Sequence, residues 1–222
     1  MSEPALLLPH NRILRYAFHE RLTHWVSGFS FVYLMLTGLA FWSPWLFWIA
    51  YVFGGPQVSR VLHPWVGLIF VVALAYMYIM WHAHMHTTET DKEWWRNVNH
   101  YTKNEDELMP PAGRYNAGQK LLFWGFVVCG ILLVLSGVVL WLPEYIPWNL
   151  RILRYLAVIV HPGAAMLSIG LFLIHIYMSV FAERGALNSM IGGDVSRDFV
   201  RRYHPGWYKE VMGDSTQALP PK

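Results

Sequence analysis

Four histidines stand within or at the mouth of long apolar runs, and their spacing sorts them into two pairs. The first run opens with RLTHWVSG at 21–28 and the second with RVLHPWVG at 60–67, which share the pattern R-x-x-H-x-x-x-G. Residues three and four apart lie on one helix face. His24 and His63 therefore each have an arginine one turn toward water and a glycine one turn deeper. This combination suits a b-type haem. An imidazole binds the iron, a glycine lets a flat macrocycle approach the helix, and an arginine can meet a propionate at the headgroup level. Arg21, Gly28, Arg60 and Gly67 are the corresponding candidate contacts.

The partners come from the fourth apolar run, which holds His161 and His175. Fourteen residues of helix rise about 21 Å, and at about 100° per residue they return to within about 40° of the same face. One helix would thus present two imidazoles at two depths. His161 pairs with His63 at the outer level, and His175 with His24 at the inner level. Arg154, seven residues before His161, returns to the same face as a further candidate haem contact. Single polar residues inside membranes often serve only to join helices, but two depth-matched pairs are hard to explain that way. His19 is the rival to His24. It lies five residues away, about 140° around a helix, so both cannot face one iron, and His24 is the deeper one with the glycine.

Such ligands need membrane-spanning helices to hold them. The 222-residue chain is 55% hydrophobic and 14% charged, against about 25% charged in soluble domains. Spans of roughly 20 apolar residues are predicted at about 24–42, 61–81, 121–142 and 155–182, giving an all-α, integral-membrane four-helix bundle in a single domain. The piece LFWIAYVF at 46–53 is too short to cross and reads as an interfacial helix or loop. Residues 83–118 and 183–222 read as polar connectors, with a disordered end at STQALPPK. The first 20 residues contain charge and no long apolar core, so no cleavable signal peptide is expected. Of the 17 Lys and Arg residues, 14 fall in the N-terminal arm, the middle loop with the start of span three, and the tail. Only Arg60, Arg151 and Arg154 lie opposite. The excess of basic residues on the cytoplasmic side of membrane proteins places both termini in the cytoplasm.

Composition also excludes several classes. The net charge of +3 is too small to indicate nucleic-acid binding, and no basic stripe supports it. Cys129 is the only cysteine, which excludes an internal disulfide and an iron–sulfur cluster of the chain's own. A CxxCH motif is absent, so any haem is held non-covalently. His82, His84 and His86 in WHAHMH offer a pair at four-residue spacing but no nearby cysteine. They read as a solvated span end, within reach of the inner haem's propionates.

The segment GRYNAGQK at 113–120 opens span three. Asn116 followed by Gln119 forms the pattern of a capping box, which can account for both residues. The same segment also brings amides, a glycine (Gly118) and Lys120 to the inner membrane surface. A quinone headgroup needs hydrogen-bond partners for two carbonyls and a supply of protons, so a quinone site stands beside the capping reading.

With these residues in place, the chain resembles the cytochrome b (gamma) subunit of respiratory, membrane-bound formate dehydrogenases. The likeness covers nearly the whole chain. It includes HW at 24–25, GPQVSRVLHPWVG at 55–67, RYNAGQK at 114–120, HPGAAM and LIHIYM at 161–166 and 173–178, and GGDVSRDFVRRYHPGWY at 192–208. The resemblance implies two haems b in the bacterial inner membrane, the outer on His63 and His161 and the inner on His24 and His175. It implies a menaquinone or ubiquinone site framed by Asn116, Gly118, Gln119 and His175. It further implies an iron–sulfur beta subunit on the outer face and a molybdenum- or tungsten-pterin alpha subunit that oxidises formate, so this chain would not oxidise formate by itself. One departure is Pro162 directly after His161, which suggests a helix that starts near His161 or kinks there. The rival readings are a cytochrome b subunit of a nickel–iron hydrogenase, against which YNAGQK argues, and a membrane anchor without a redox role.

Overall fold

The computed structural model describes residues 7–9, 11–103 and 105–213. The terminal stretch STQALPPK lies outside the described residues. The chain divides into two compact units, one made of residues 22–81 and 123–175 and the other of residues 1–21, 82–122 and 176–222.

The first unit is a four-helix bundle, as expected from the apolar runs. Its helices are parts of α1 (Phe18–Trp42), α3 (Pro56–Trp81), α6 (Ala117–Trp141) and α7 (Ile152–Tyr177). These four supply the helices long and apolar enough to cross a membrane. A short α2 (Ile49–Val52) fills part of the first connection, where an interfacial helix or loop was expected. Every long helix starts three to six residues before its apolar run. Glu20 accepts from the Ala17 N–H at 2.7 Å before α1. Pro56, whose missing N–H is no loss in a first turn, opens α3 after two positive-φ glycines, Gly54 and Gly55.

The start of the fourth helix near His161, one of the two expectations raised by Pro162, is not found. α7 runs from Ile152 through Pro162 to Tyr177, so Arg154 is helical. Likewise α3 carries Pro64 in its interior, one residue after His63. A proline removes one backbone bond, a loss that neighbouring helices make tolerable within a membrane. Where the helices meet, Phe31 of α1 packs against Phe70 of α3, Phe126 of α6 and Phe172 of α7, at ring-centre distances of 5.9, 6.0 and 5.1 Å. Small residues fill the remaining contacts, among them Ala40, Ala73, Cys129, Ala157 and Ala164, as in membrane helix packing generally.

The second unit replaces the expected connectors with ordered structure. β1 (Leu7–Leu8), β2 (Arg12–Leu14) and β3 (Asp194–Ser196) form an antiparallel sheet in the order β1-β2-β3. Register pairs Ile13 with Val195 and Arg12 with Ser196, and Arg12 pairs with Asp194 through its side chain. α8 (Ala186–Ile191), α9 (Arg197–Tyr203) and α10 (Pro205–Met212) follow span four. Ile13, Val195, Phe199, Val200 and Trp207 make a small core of their own. The middle segment contributes α4 (Glu89–Arg96) and α5 (Val98–Thr102).

Candidate metal centres and a buried carboxyl cluster

The bundle brings the histidines together as two pairs. The His24 and His175 ring centres lie 5.9 Å apart, and those of His63 and His161 lie 6.4 Å apart. Two metal–imidazole bonds of about 2.0 Å, plus about 1 Å from each ring nitrogen to its ring centre, would give about 6 Å across a shared metal. Both pairs match that span. Each offers only two imidazoles, and no group of three or more His, Cys, Asp or Glu able to hold a metal occurs among the described residues. A metal held here needs its other positions filled by a non-protein ligand, which a porphyrin supplies.

Neighbouring groups orient the rings. Thr37 Oγ1 lies 2.7 Å from His63 Nδ1, and Ser136 Oγ lies 3.0 Å from His161 Nδ1. In both outer rings this leaves Nε2 as the nitrogen for a metal, a division of labour usual for ligand histidines. His24 Nδ1 is buried without a hydrogen-bond partner. Glycines make room beside the rings. A Cβ on Gly38 would stand 3.7 Å from His63 Cε1, and one on Gly137 would stand 3.2 Å from His161 Cε1. A Cβ on Gly28 or Gly67 would meet nothing within 4 Å, so both backbones are open to a flat group, as their place one turn from a histidine requires. His19 is exposed, and the ring facing His175 is that of His24.

The arginines expected as haem contacts are placed differently from one another. Arg60 is exposed near the start of α3. Arg154 bonds the Pro143 carbonyl. Arg21, within the second unit, donates to the Ile191 carbonyl and lies over the Phe18 ring.

The capping box at α6 is formed. The Gln119 N–H donates to Asn116 Oδ1 at 2.9 Å, and the Asn116 N–H donates to Gln119 Oε1 at 3.2 Å. The amide nitrogens face elsewhere. Asn116 Nδ2 and Gln119 Nε2 donate to the two oxygens of Glu183, at 3.2 and 3.4 Å. Tyr101 O–H donates to the same carboxyl at 2.7 Å. Glu183 is 4% exposed. Burial raises its pKa above the ordinary carboxylate value, against the lowering effect of Tyr101, Arg15 and Asn116. A Cβ on Gly118 would touch Asn116 Oδ1 and Trp94 at 3.4 Å, so this position is tight. Sequence reasoning passed over Glu183 and Tyr101 because each lies in a segment that reads as solvated. The signals for Thr37 and Ser136 were present, as hydroxyls inside apolar runs.

A model of the prokaryotic cytochrome b561 family matches residues 15–193. The chain belongs to that family. It is a multi-pass cytochrome b of the bacterial inner membrane with a role in electron transfer, and haem b is its cofactor. This cytochrome b is 35% identical over 202 residues to the cytochrome b556(Fdn) subunit of the nitrate-inducible formate dehydrogenase of Escherichia coli K12, covering 90% of this chain and 91% of the relative. It is 33% identical over 200 residues to the cytochrome b556(fdo) subunit of a formate dehydrogenase of the same organism, with 90% and 93% covered. The formate dehydrogenase cytochrome b556 subunit of Haemophilus influenzae is 30% identical over 202 residues, with 90% and 84% covered. The family resemblance read from the motifs is borne out.

Proposed function

We propose that this cytochrome b is the membrane subunit of a respiratory formate dehydrogenase and binds two haems b. His63 and His161 hold the outer one, and His24 and His175 hold the inner one. When bound, haem b supplies one-electron redox chemistry; the protein sets its position and surroundings. The observation that carries this reading is the pair of facing imidazoles, found twice, with both second members on the single helix α7. Thr37 and Ser136 fix the outer rings, Gly38 and Gly137 leave them space, and Gly28 and Gly67 open the helix faces. Arg60 is placed to meet a propionate at the outer surface.

An iron–sulfur partner delivers electrons at the outer level, and quinone takes them at the inner level beside the opening of α6. The identity to formate dehydrogenase subunits over nine-tenths of the chain supports the partners: an iron–sulfur beta subunit and a molybdenum- or tungsten-pterin alpha subunit. Asn116, Gly118, Gln119 and His175 are the residues assigned to the quinone, menaquinone or ubiquinone. Formate oxidised outside and quinone protonated from inside would separate charge across the membrane.

Four alanine variants test the assignment by pyridine haemochrome counts and reduced-minus-oxidised spectra of the purified complex. His63→Ala and His161→Ala should each lose the outer haem; His24→Ala and His175→Ala should each lose the inner one. Two haems retained in His24→Ala would reject the inner pairing and bring His19 back. A wild-type chain with no haem spectrum would leave only a membrane anchor.

A further inference from the structure

Span four does not end as a simple helix. Residues Met178–Ala182 form a π turn, closed by the Glu183 N–H on the Met178 carbonyl at 2.9 Å. A bond spanning five residues inserts one extra residue into the turn, and such turns concentrate at functional positions. The extra residue turns Glu183 away from the face it would have on a continued α-helix. Gly185, at φ 102°, then reverses the chain. The result is a buried carboxyl whose three bonded donors, Tyr101, Asn116 and Gln119, are all neutral. Burying a carboxyl is costly unless it is paired or protonated.

Two of those three residues also line a cleft. Tyr101 and Asn116 face it together with Trp94, Asp106, Arg202 and Tyr203. Its polar edge is the ion pair of Arg202 Nε with Asp106 Oδ2 at 2.7 Å, and the Arg202 side chain is 58% exposed. Polar groups thus lead from water to the partners of Glu183.

We propose that Glu183 is the acid that protonates the quinone, replenished from water through the Tyr101–Asp106 cleft. This rests on the quinone reading above. Reducing a quinone to a quinol adds two electrons and two protons. The cytochrome supplies the electrons. In each half, the Glu183 O–H bond breaks, an O–H bond forms on a quinone oxygen, and a carboxylate remains. Water on the cleft side returns the proton, and a second cycle completes the quinol. Asn116 and Gln119 each keep a second amide hydrogen for the headgroup, so the same two amides hold both the acid and its target.

The protonated form is favoured by burial and by Asp106 and opposed by Tyr101, Arg15 and Asn116. Tyr203, which in turn feels Arg184, also lies within electrostatic reach of Glu183. Because burial prevails, the carboxyl keeps its proton to higher pH than an exposed glutamate. Quinone reduction should therefore slow as pH rises through the Glu183 pKa.

The test uses the full complex at equal haem content, reduced with a stoichiometric amount of dithionite and mixed with a short-tailed naphthoquinone. Haem reoxidation is followed between about pH 6 and pH 9. Glu183→Gln should reoxidise about 100-fold more slowly, the low end of a general acid's contribution, and should lose the alkaline limb. Glu183→Asp should keep that limb. The infrared carbonyl stretch of a protonated carboxylic acid should be present in the wild type, shifted in Glu183→Asp and missing in Glu183→Gln. Gln119→Ala is the control for the site itself. If Gln119→Ala slows reoxidation while Glu183→Gln keeps wild-type rates and pH profile, the acid role fails and the quinone site stands. Wild-type rates in both variants would remove the quinone site and the acid role together. Should Glu183→Gln not assemble, a wild-type spectrum without a carboxylic-acid band that shifts in Glu183→Asp overturns the proposal.

Discussion

The two histidine pairs do not receive equal support from their neighbours. Both outer rings have a hydroxyl on Nδ1, from Thr37 and Ser136, whereas His24 Nδ1 is buried without one. The hydroxyls have backbone anchors of their own. Thr37 Oγ1 lies 2.8 Å from the Tyr33 carbonyl and Ser136 Oγ lies 2.6 Å from the Leu132 carbonyl, each one turn back along its own helix. A hydroxyl that donates to a carbonyl can only accept from the ring, which fixes Nδ1 as protonated and leaves Nε2 for the proposed haem iron. If the pairs hold two haems as proposed, Thr37→Val and Ser136→Ala should therefore weaken retention of the outer haem by about 10- to 100-fold, the range for lost supporting bonds, and leave the inner haem unchanged. Haem release to excess apomyoglobin, followed separately for the two haems by their spectra, measures this. Equal loss of both haems would mean that the substitutions merely loosen the bundle.

The join between α4 and α6 depends on one carboxylate. Asp91 forms a capping box with Thr88 at the start of α4 and an ion pair with Lys120 in the first turn of α6, at 2.6 Å with side chains 8% and 12% exposed. Lys120 also donates to the His86 carbonyl. Burial tends to raise the Asp91 pKa, but the bonds from Lys120 and Thr88 outweigh it and hold the carboxyl below its ordinary value. A depressed folded-state pKa gives stability that is present above the unfolded pKa and lost as pH falls through the folded one. Asp91→Asn leaves a buried ammonium without its partner, a loss of about 3 kcal/mol or more. In detergent, its Tm should lie below wild type at pH 7, and the gap should start to narrow as pH falls below about 4, the ordinary aspartate value, and close only below the depressed pKa of the folded wild type. A gap unchanged by pH would assign the pair no electrostatic role. The apolar runs and the histidine spacing made the bundle and its paired rings legible, because a span length and a helical period are properties of one segment. Glu183 was not legible. Its burial depends on a π turn in its own segment and on three residues drawn from two others.

A strand from before span one and a strand from after span four meet in the second unit. β2 lies before span one and β3 after span four, and they pair residue for residue. Any even number of crossings allows this, so the sheet agrees with four spans and puts the two arms on one side. From the distribution of basic residues we propose that this side is the cytoplasm. A reporter active only in the periplasm, fused after Lys222, should accordingly be silent; a strong signal would reverse the direction of electron flow. The sheet itself could not be read beforehand, since strands of two or three residues leave no periodic trace and their partners lie far away in sequence.

That pairing also sets an order of events. Arg12 and Asp194 are 182 positions apart, and at about 5–20 residues per second the first strand leaves the ribosome roughly 10–35 s before its partner exists. In the interval Ile13 has no Val195 to cover it, and it must stay out of the bilayer and away from other nascent chains. Closing the sheet therefore marks completion: a chain halted before β3 keeps an open strand that a quality-control protease can grip.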